Sequence, residues 1–307
     1  MKYKFYTADV FTDRIFGGNQ LAVFPDARGL SDKQMLNIAR EFNLSETTFI
    51  LPAEPGKGRR LRIFTPGREL DFAGHPTVGS AYVLASTGAL STLDDRTEIV
   101  FEEGVGPVPV QIRSENGKPY FAQLTAAQLP QLGPPPPPTE HIAAALSLSV
   151  EDVLDNEDDS PTAMSCGLPF LYVPLASIDA VRRARLNWEW WEQWLASYWA
   201  PHIYLFSYET EREESSVHAR MFGASLGIHE DPATGAAATA LAGYLTRRPG
   251  ASSAPGTDGT LRWTVEQGFE MGRPSIIHVE ADVSEGSVTE IRVGGTSVMV
   301  SEGEMYL

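Results

Sequence analysis

An eight-residue pattern occurs twice in this chain, at positions about half of its 307 residues apart. Residues 74–81 read Gly-His-Pro-Thr-Val-Gly-Ser-Ala, and residues 230–237 read Glu-Asp-Pro-Ala-Thr-Gly-Ala-Ala. In each copy a proline and several small residues precede an apolar stretch, a pattern that predicts the start of a helix. Matched strand-like triplets lie upstream, at 62–64 and 220–222. The repeat predicts two similar halves, each containing a helix that begins on small residues.

The two predicted helix starts favour the binding of an anion. The first turn of a helix has N–H groups without intrahelical acceptors, and the helix dipole is positive at that end. Two such helix starts on either side of a cleft would suit a carboxylate. The copies differ where His75 in the first corresponds to Asp231 in the second. These two side chains are therefore candidates for the chemistry of the site.

The composition is typical of a globular protein and excludes several other classes. Hydrophobic residues make up 42% of the chain, and no apolar run approaches the roughly 20 residues of a membrane span. The N-terminus lacks the apolar core of a signal peptide, and the single cysteine, Cys166, excludes an internal disulfide. The net charge of −16 lies almost entirely after residue 128 and repels nucleic acid. We expect a cytoplasmic protein with neither a nucleic-acid nor a membrane partner.

A proline-rich segment at 132–139 divides the chain. Proline has a fixed φ and no backbone N–H, so this segment suits neither a helix interior nor a central strand, and we interpret it as a connector. The predicted domains are therefore 1–128 and 129–291.

Local patterns predict further elements. Strands are expected at 3–11, 21–24 and 291–300, and helices at 31–42, 141–154 and 187–199. The last of these helices contains five tryptophans. Their helical spacing is more typical of packing than of a cage around a ligand.

Three ionisable residues beside predicted turns are the candidate catalytic residues: Glu46, His75 and Asp231. Burial and neighbouring charge can tune a carboxylate and a histidine until they exchange protons near neutral pH, as a general acid or base must. Each residue also has a structural interpretation. Glu46 could cap a helix or carry a surface charge, and His75 could be a hydrogen-bonded residue at a helix start.

The sequence does not predict a metal or nucleotide site. The run His-Glu-Asp at 229–231 lacks a second histidine or paired cysteines at ligand spacing. The glycines at 104 and 106 are followed by neither the third glycine nor the helix of a dinucleotide-binding loop.

Five stretches of the chain together resemble one known family. They are 18–24, 39–49, 62–66 with 70–76, 230–235 and 268–275. In this order they resemble the PhzF-like phenazine-biosynthesis isomerases, which have the diaminopimelate-epimerase-like fold. The resemblance implies an α/β (α+β) protein of two pseudo-symmetric domains. Each would be a curved, mostly antiparallel sheet wrapped around a central helix, with the active site in the cleft between them. The same resemblance implies that residues 292–307 can instead return to the first domain.

The resemblance also implies roles for individual residues. Glu46 would move a proton between carbons of a small carboxylated substrate, while His75 and Asp231 would bind and orient that substrate. It implies no metal and no organic cofactor, and since family members often pair, it implies a homodimer. The predicted substrate-binding residues are Asn19, Ser45, Gly74, Pro76, Thr77, Thr234, Gly235 and Ala236.

Two features of the sequence depart from related proteins. The family commonly has serine where this chain has Ala236, so one hydroxyl, worth on the order of 1 kcal/mol, is missing. The substrate is therefore allowed to differ from the phenazine precursor, which we expect to be a dihydroxylated cyclohexadiene carboxylate. Related epimerases use two cysteines as acid and base, whereas here Ala73 precedes the Gly-His pair. Racemisation by two thiols is thus disfavoured.

The sequence predicts a cofactor-independent isomerase that shifts a double bond by allylic proton transfer through Glu46. Two alternatives stay open. One is a ligand-binding protein of the same fold that has lost the reaction, for which Ala236 is the best support. The other is an epimerase that uses Glu46 and a second acid, which the sequence does not locate.

Overall fold

The computed structural model describes residues 1–53, 58–90, 93–226, 228–248 and 258–307. The chain forms two compact units. The first comprises Met1–Ala127, Arg273–Ile276 and Arg292–Leu307. The second comprises Gln128–Gly272 and Ile277–Ile291. The secondary structure of the described residues is mixed and dominated by strands.

The helices are α1 (Asp32–Phe42), α2 (Gly74–Ser86), α3 (Thr139–Ala145), α4 (Ile178–Arg183), α5 (Trp188–Trp194) and α6 (Gly235–Leu245). The strands within residues 1–127 are β1 (Lys2–Val10), β2 (Asn19–Phe24), β3 (Glu46–Leu51), β4 (Arg59–Phe64), β5 (Glu69–Leu70), β6 (Arg96–Glu103), β7 (Gly106–Glu115) and β8 (Lys118–Thr125). The later strands are β9 (Gln131–Leu132), β10 (Thr162–Ser165), β11 (Pro169–Pro174), β12 (His202–Ser207), β13 (Val217–Gly223), β14 (Ile228–Asp231), β15 (Gly259–Gln267), β16 (Ser275–Ser284), β17 (Ser287–Gly295) and β18 (Ser297–Tyr306). Short 3₁₀ turns lie at Val150–Asp152 and Ala224–Leu226.

The first unit is a mostly antiparallel sheet. Its strands lie in the order β18, β1, β2, β3, β4, β6, β7, β8, followed by residues 292–295 of β17. The β2–β3 and β4–β6 pairs are parallel, and the other pairs in this order are antiparallel. Strand β5 adds to β4.

Helix α2 is the central helix of the first unit. It contacts β1, β2, β3, β7, β8 and β18, and almost all of its residues are buried. A helix that is apolar on all sides is stable only when it is enclosed. Gly79 permits close packing, because a Cβ atom there would lie 2.5 Å from the side chain of Val10 and 2.6 Å from that of Leu21. A sheet around a central helix confirms the predicted fold class for this unit.

Helix α1 begins and ends as its sequence predicts. Ser31 and Gln34 form the capping box at its start, and Asn43 ends it in the left-handed conformation at φ 50°. Its apolar face, which includes Met35 and Ile38, packs in a cluster with Phe24 and other residues of the sheet.

The second unit has the same kind of organisation. Strands β9, β10, β11, β12 and β13 pair in that order, and β14 and β15 also pair with β13. Helix α6 contacts β10 and β11, and nearly all of its residues are buried. The shorter helices α3, α4 and α5 contribute to a separate apolar cluster of this unit.

The two outer helices are shorter than predicted. Helix α3 ends at Ala145, since Ser147 adopts a positive φ of 57° that cannot continue a helix. The tryptophan-rich helix α5 covers only Trp188–Trp194. Trp191 is 7% exposed, lies in the apolar cluster and donates from Nε1 to the carbonyl oxygen of Pro201 at 2.9 Å. Packing, rather than a ligand cage, therefore explains this buried tryptophan.

The first residues of the proline-rich segment are hydrogen-bonded to the second unit. Strand β9 pairs with β10, and the N–H of Gly133 donates to Ala163 at 2.8 Å. The hydroxyl of Tyr198 donates to the carbonyl oxygen of Pro134 at 2.7 Å. These bonds fix the residues that begin the segment.

The predicted strand at 291–300 is wrong in its bounds. The chain forms two strands there, β17 and β18, separated at Thr296. The carbonyl oxygen of Thr296 instead accepts a hydrogen bond from the N–H of Thr12 at 3.1 Å. No helix among the described residues is both long enough and apolar enough to cross a membrane.

Candidate active site

Glu46 is the first residue of β3, where it pairs with Leu21 of the parallel strand β2. The residue is 7% exposed, so its carboxylate is neither a surface charge nor a helix cap. Its Oε2 atom lies 3.4 Å from Nε2 of His75. The strand start thus places a buried carboxylate beside an imidazole ring.

His75 is the second residue of α2 and is 4% exposed. Its Nδ1 lies 3.2 Å from Nδ2 of Asn19, the first residue of β2. The other ring nitrogen, Nε2, is the ring atom that lies near Glu46. Three predicted site residues from three elements therefore meet in the first unit.

The ring of His75 is neutral at pH 7. Burial lowers its pKa from 6.5 to about 3, and a hydrogen bond with the backbone of Gln20 opposes this shift. The 3.4 Å separation from Glu46 falls within ion-pair range, but a ring with such a pKa has no positive charge to pair. The arrangement is consequently a neutral imidazole ring next to a carboxyl group.

Asn19 follows a turn that Arg273 holds in place. Arg273 donates from Nε to the carbonyl oxygen of Gly18 at 2.8 Å and from Nη2 to that of Gly17 at 2.6 Å. Its Nη2 also lies 2.6 Å from Oδ1 of the buried Asp9, whose Oδ2 accepts from the N–H of Phe16 at 2.7 Å. Neither Arg273 nor Asp9 is among the site residues predicted from the sequence. The motif at 268–275 contains Arg273 and is the signal that could have identified it.

The remaining predicted residues of the first unit lie near this group. Ser45 directly precedes Glu46 and is partly exposed, while Gly74 and Pro76 belong to the buried first turn of α2. Thr77 is fully buried, and its hydroxyl contacts the carbonyl oxygen of Ala73 at 2.8 Å. The same hydroxyl lies 2.6 Å from Oε1 of Glu103, so Thr77 has protein partners rather than an open position.

Asp231 belongs to the second unit, where it is the last residue of β14 and 6% exposed. Its Oδ2 accepts from the hydroxyl of Thr234 at 2.6 Å. The amide of Gln267 donates to the carbonyl oxygen of Asp231 at 2.7 Å and accepts from the N–H of Thr234 at 3.1 Å. Gln267, which the sequence analysis missed, therefore fixes the backbone on both sides of this turn.

The two copies of the repeat differ in local structure. His75 lies inside the first turn of α2, whereas Asp231 ends a strand and α6 begins only at Gly235. The Asp231 backbone continues the sheet by pairing with Met221, which delays the helix. Within α6, Ala236 is partly exposed while the other residues are buried. A side chain at position 236 thus reaches accessible space in the first turn.

The second unit contains another group of buried ionisable residues. His218 contacts Glu266 through Nδ1 and Glu270 through Nε2, each at 2.8 Å. Burial lowers the pKa of His218, but the hydrogen bonds to the two carboxylates outweigh that effect and raise the pKa to about 9. A protonated His218 therefore joins β13 to β15 and the turn that follows β15. No cluster of three or more histidine, cysteine, aspartate or glutamate side chains suited to a metal occurs in the part of the chain that the structure describes.

The fold and the site define a class of protein. Central helices within curved sheets characterise the diaminopimelate-epimerase-like fold, and a crystal structure of a Bacillus anthracis phenazine biosynthesis protein of the PhzF family has the same architecture. That structure matches with a TM-score of 0.88, 29% sequence identity and full coverage of both chains.

Sequence comparison identifies the family. The phenazine biosynthesis-like protein family matches residues 8–303. An uncharacterized isomerase of Mesorhizobium japonicum is 40% identical, over 97% of each chain. The trans-2,3-dihydro-3-hydroxyanthranilate isomerase of Pseudomonas aeruginosa is 30% identical, over 99% of this chain and 100% of the relative. The chain belongs to the phenazine biosynthesis-like (PhzF) family, and it is an isomerase of that family, as the resemblance of its motifs predicted.

Proposed function

We propose that the protein moves a double bond in a small cyclic or unsaturated carboxylic acid, with Glu46 as the group that transfers the proton and without a cofactor. The observation that carries this proposal is the 3.4 Å contact between the buried Glu46 carboxyl group and the neutral ring of His75. A carboxylate in this setting can accept a proton from carbon and return it.

The proposed reaction is an isomerisation, so substrate and product contain the same atoms. Glu46 removes a proton from a carbon that is α or vinylogous to the substrate carboxylate, and the C–H bonding electrons enter the conjugated system. Glu46 then returns the proton to another carbon, so the double bond shifts. The intermediate is electron-rich, and hydrogen-bond donors that are already in place lower its energy.

His75 and the first turn of α2 supply such donors. Because the ring is neutral, its N–H can stabilise developing negative charge without competing for the proton that Glu46 carries. The N–H groups of a first helical turn attract a substrate carboxylate. We assign Asn19 the role of holding the His75 ring in the orientation that directs Nε2 toward Glu46.

In the second unit, we assign Asp231 a role in binding the substrate. Its Oδ2 is held by the Thr234 hydroxyl, so the carboxylate has a fixed orientation. Thr234, Gly235 and Ala236 form the start of α6 and are the proposed binding residues beside it.

The name of the Pseudomonas aeruginosa relative suggests the kind of substrate. It specifies a dihydro ring acid with one hydroxyl and the amino group of anthranilate. The compound to test first is therefore trans-2,3-dihydro-3-hydroxyanthranilate, and not the dihydroxylated ring acid expected from the sequence. Ala236 makes a different ring substituent the expected preference of this chain, because no hydroxyl is available at that position.

One observation favours a second candidate, a ligand-binding protein without turnover. At the partly exposed position 236, this chain has alanine where the family commonly has serine, so the first turn of α6 lacks a hydroxyl group. The buried Glu46–His75–Asn19 group favours the isomerase, since a binding protein has no need of a proton-transferring carboxylate in this position.

A panel of small unsaturated ring acids, including trans-2,3-dihydro-3-hydroxyanthranilate, tests these candidates. Binding is followed by calorimetry and the double bond by ultraviolet absorbance. We expect binding with a spectral change for at least one acid. Binding without change would support the ligand-binding protein, solvent exchange without net isomerisation would support an epimerase, and no binding to any acid would contradict both roles.

A further inference from the structure

Glu103 lies at the end of β6 and contacts the first turn of α2. Its Oε1 is 2.6 Å from the hydroxyl oxygen of Thr77, which is itself 2.8 Å from the carbonyl oxygen of Ala73. Ala73 is the N-cap residue just before α2, and His75 lies between Ala73 and Thr77 in the sequence. A single threonine thus joins Glu103 to the turn that positions His75.

The Thr77 hydroxyl has too few hydrogens to donate to both of its neighbours. The Thr77 hydroxyl has one hydrogen but two neighbouring acceptors, a carbonyl oxygen and a carboxyl oxygen. Elsewhere in the chain, Thr87 and Thr239 donate to the carbonyl oxygen four residues earlier, at 2.8 Å in each case. Thr77 makes the same bond at the same distance. If that hydrogen is donated to Ala73 as in the other two threonines, the 2.6 Å contact to Glu103 needs a proton on the carboxyl group.

The surroundings of Glu103 favour the neutral acid. The residue is partly exposed, but its Oε2 is enclosed and has no hydrogen-bond partner among the described residues. Burial raises the pKa of Glu103 to about 8. Ionisable groups on the neighbouring elements are His75 on α2, Asp71, whose backbone binds that of Val105 at 3.3 Å, and the adjacent Glu102. Strand β4 also brings Arg59 and Arg60 opposite Phe101 and Glu102. Burial, and no neighbouring charge, raises the pKa of Glu103, so the two arginines do not stabilise its carboxylate.

We propose that Glu103 is a positioning residue that acts as a neutral carboxylic acid, donating to Thr77 and thereby fixing the first turn of α2. The order of donation is Glu103 to Thr77 and Thr77 to Ala73. If Glu103 loses its proton, Thr77 cannot serve both acceptors, and either the α2 turn or the Glu103 contact is lost. An ionised Glu103 also places negative charge beside a helix start, which weakens its attraction for an anion.

The first test needs no substrate. A group whose folded pKa is raised stabilises the fold fully below its unfolded pKa of 4.5, and this contribution is lost as pH rises through about 8. Relative to wild type, Glu103→Gln should therefore remove a fall in stability between pH 5 and pH 8. Glutamine is neutral and can still donate to Thr77. The matched control is Glu98→Gln, on the exposed part of the same strand, which should keep the wild-type profile.

Infrared spectroscopy provides a second, independent readout. Wild-type protein at pH 7 should show a protonated carboxyl band that disappears near pH 8 and is absent in Glu103→Gln. If the glutamine variant does not fold, Thr77→Val serves instead, because loss of the hydroxyl should shift the same band. A carboxyl group that is fully ionised at pH 7 would overturn the proposal.

The functional test rests on the proposed isomerase activity. In wild type, KM should rise about tenfold between pH 7 and pH 9 as the competent, protonated form becomes scarce, with kcat nearly unchanged. Glu103→Gln should keep a neutral-pH KM close to wild type and lose this rise. An equal alkaline rise in Glu103→Gln would contradict the positioning role. If no substrate is turned over, the proposed function fails, while the stability and infrared measurements still decide the state of Glu103.

Discussion

The Nε2 atom of His75 lies 3.4 Å from the Oε2 atom of Glu46, and both residues are buried in the first unit. Burial makes the imidazole ring neutral, so this contact joins an uncharged ring to a carboxyl group rather than two opposite charges. Proton transfer by Glu46 beside an uncharged imidazole is the chemistry that we propose for this pair.

The neutral state of His75 predicts a contribution to acid sensitivity. The unfolded chain binds a proton at pH 6.5, whereas the folded ring does so only near pH 3, so stability is lost as pH falls through this window. At pH 5 the neutral His75 lowers the free energy of unfolding by about 2 kcal/mol relative to its value above pH 6.5. His75→Asn should therefore lose less stability than wild type between pH 7 and pH 5. Urea denaturation at the two pH values measures this difference.

The exposed His229 provides the control for that experiment. His229→Asn should show the same change with pH as wild type. Equal acid sensitivity of wild type and His75→Asn would show that the ring of His75 is able to take up a proton in the folded state.

Arg273→Lys should reduce activity by disturbing the turn before Asn19. Lysine cannot reproduce the separate bonds of Arg273 to Asp9, Gly17 and Gly18, because its single ammonium group lacks the fixed fork of a guanidinium. We expect kcat/KM to fall by about tenfold or more, equivalent to the loss of 1–2 kcal/mol in hydrogen bonding. Steady-state kinetics at one pH provides the measurement.

Arg262→Lys is the matched change at an exposed ion pair with Glu280. It should leave kcat/KM within about twofold of wild type, because exposed ion pairs contribute little. Wild-type kinetics in Arg273→Lys would remove this arginine from any positioning role.

Ala236→Ser should alter substrate preference without harming the fold, because position 236 is partly exposed. A serine hydroxyl that bonds a ring substituent is worth on the order of 1 kcal/mol, or about fivefold in kcat/KM. We expect this gain toward trans-2,3-dihydro-3-hydroxyanthranilate relative to the preferred acid of the wild type. Competition between the two acids measures the ratio directly.

The control for that substitution is Ala144→Ser, at a partly exposed position of α3. It should leave the preference unchanged. An unchanged ratio in Ala236→Ser would indicate that residue 236 does not contact the substrate.

His218→Gln should destabilise the second unit. The change removes a buried positive charge and leaves Glu266 and Glu270 without their shared partner, at a cost of about 3–5 kcal/mol. Because the pKa of His218 is raised to about 9, its contribution is fully present below pH 6.5 and is lost as pH rises through 9. Thermal melts at pH 6 should thus show a larger loss than melts at pH 9.5. A difference that does not vary with pH would contradict a protonated His218.

The sequence predicted the central helices because their signals are local. The small residues that begin α2 and α6, the apolar stretches after them and the capping box of α1 each lie within a few positions. The end of α3 was not predictable from the same pattern, since Ser147 breaks the helix through its backbone conformation and not through a proline or glycine.

The site was predictable in part. Glu46, His75 and Asn19 lie in recognisable motifs, and the structure brings them together. Their supporting residues depend on contacts between distant positions. Arg273 binds a turn 255 positions earlier in the chain, and Glu103 reaches Thr77 from 26 positions away. No local periodicity indicates such pairs.

The equivalence of His75 and Asp231 also shows where a sequence repeat stops being informative. The repeat aligns the two residues, but one belongs to a helix and the other to a strand. The backbone pairing of Asp231 with Met221 decides this difference, and that pairing is not encoded within the repeated segment.

The measurement that tests the central claim most directly is proton transfer by Glu46 in D₂O, using an acid that the wild-type protein isomerises. Nuclear magnetic resonance should show deuterium at one carbon of the product. Glu46→Gln should bind the acid but lose turnover by at least about a hundredfold, and Glu41→Gln, an exposed control on α1, should not. Turnover by Glu46→Gln within about tenfold of wild type would contradict the assignment of Glu46 as the proton-transferring residue.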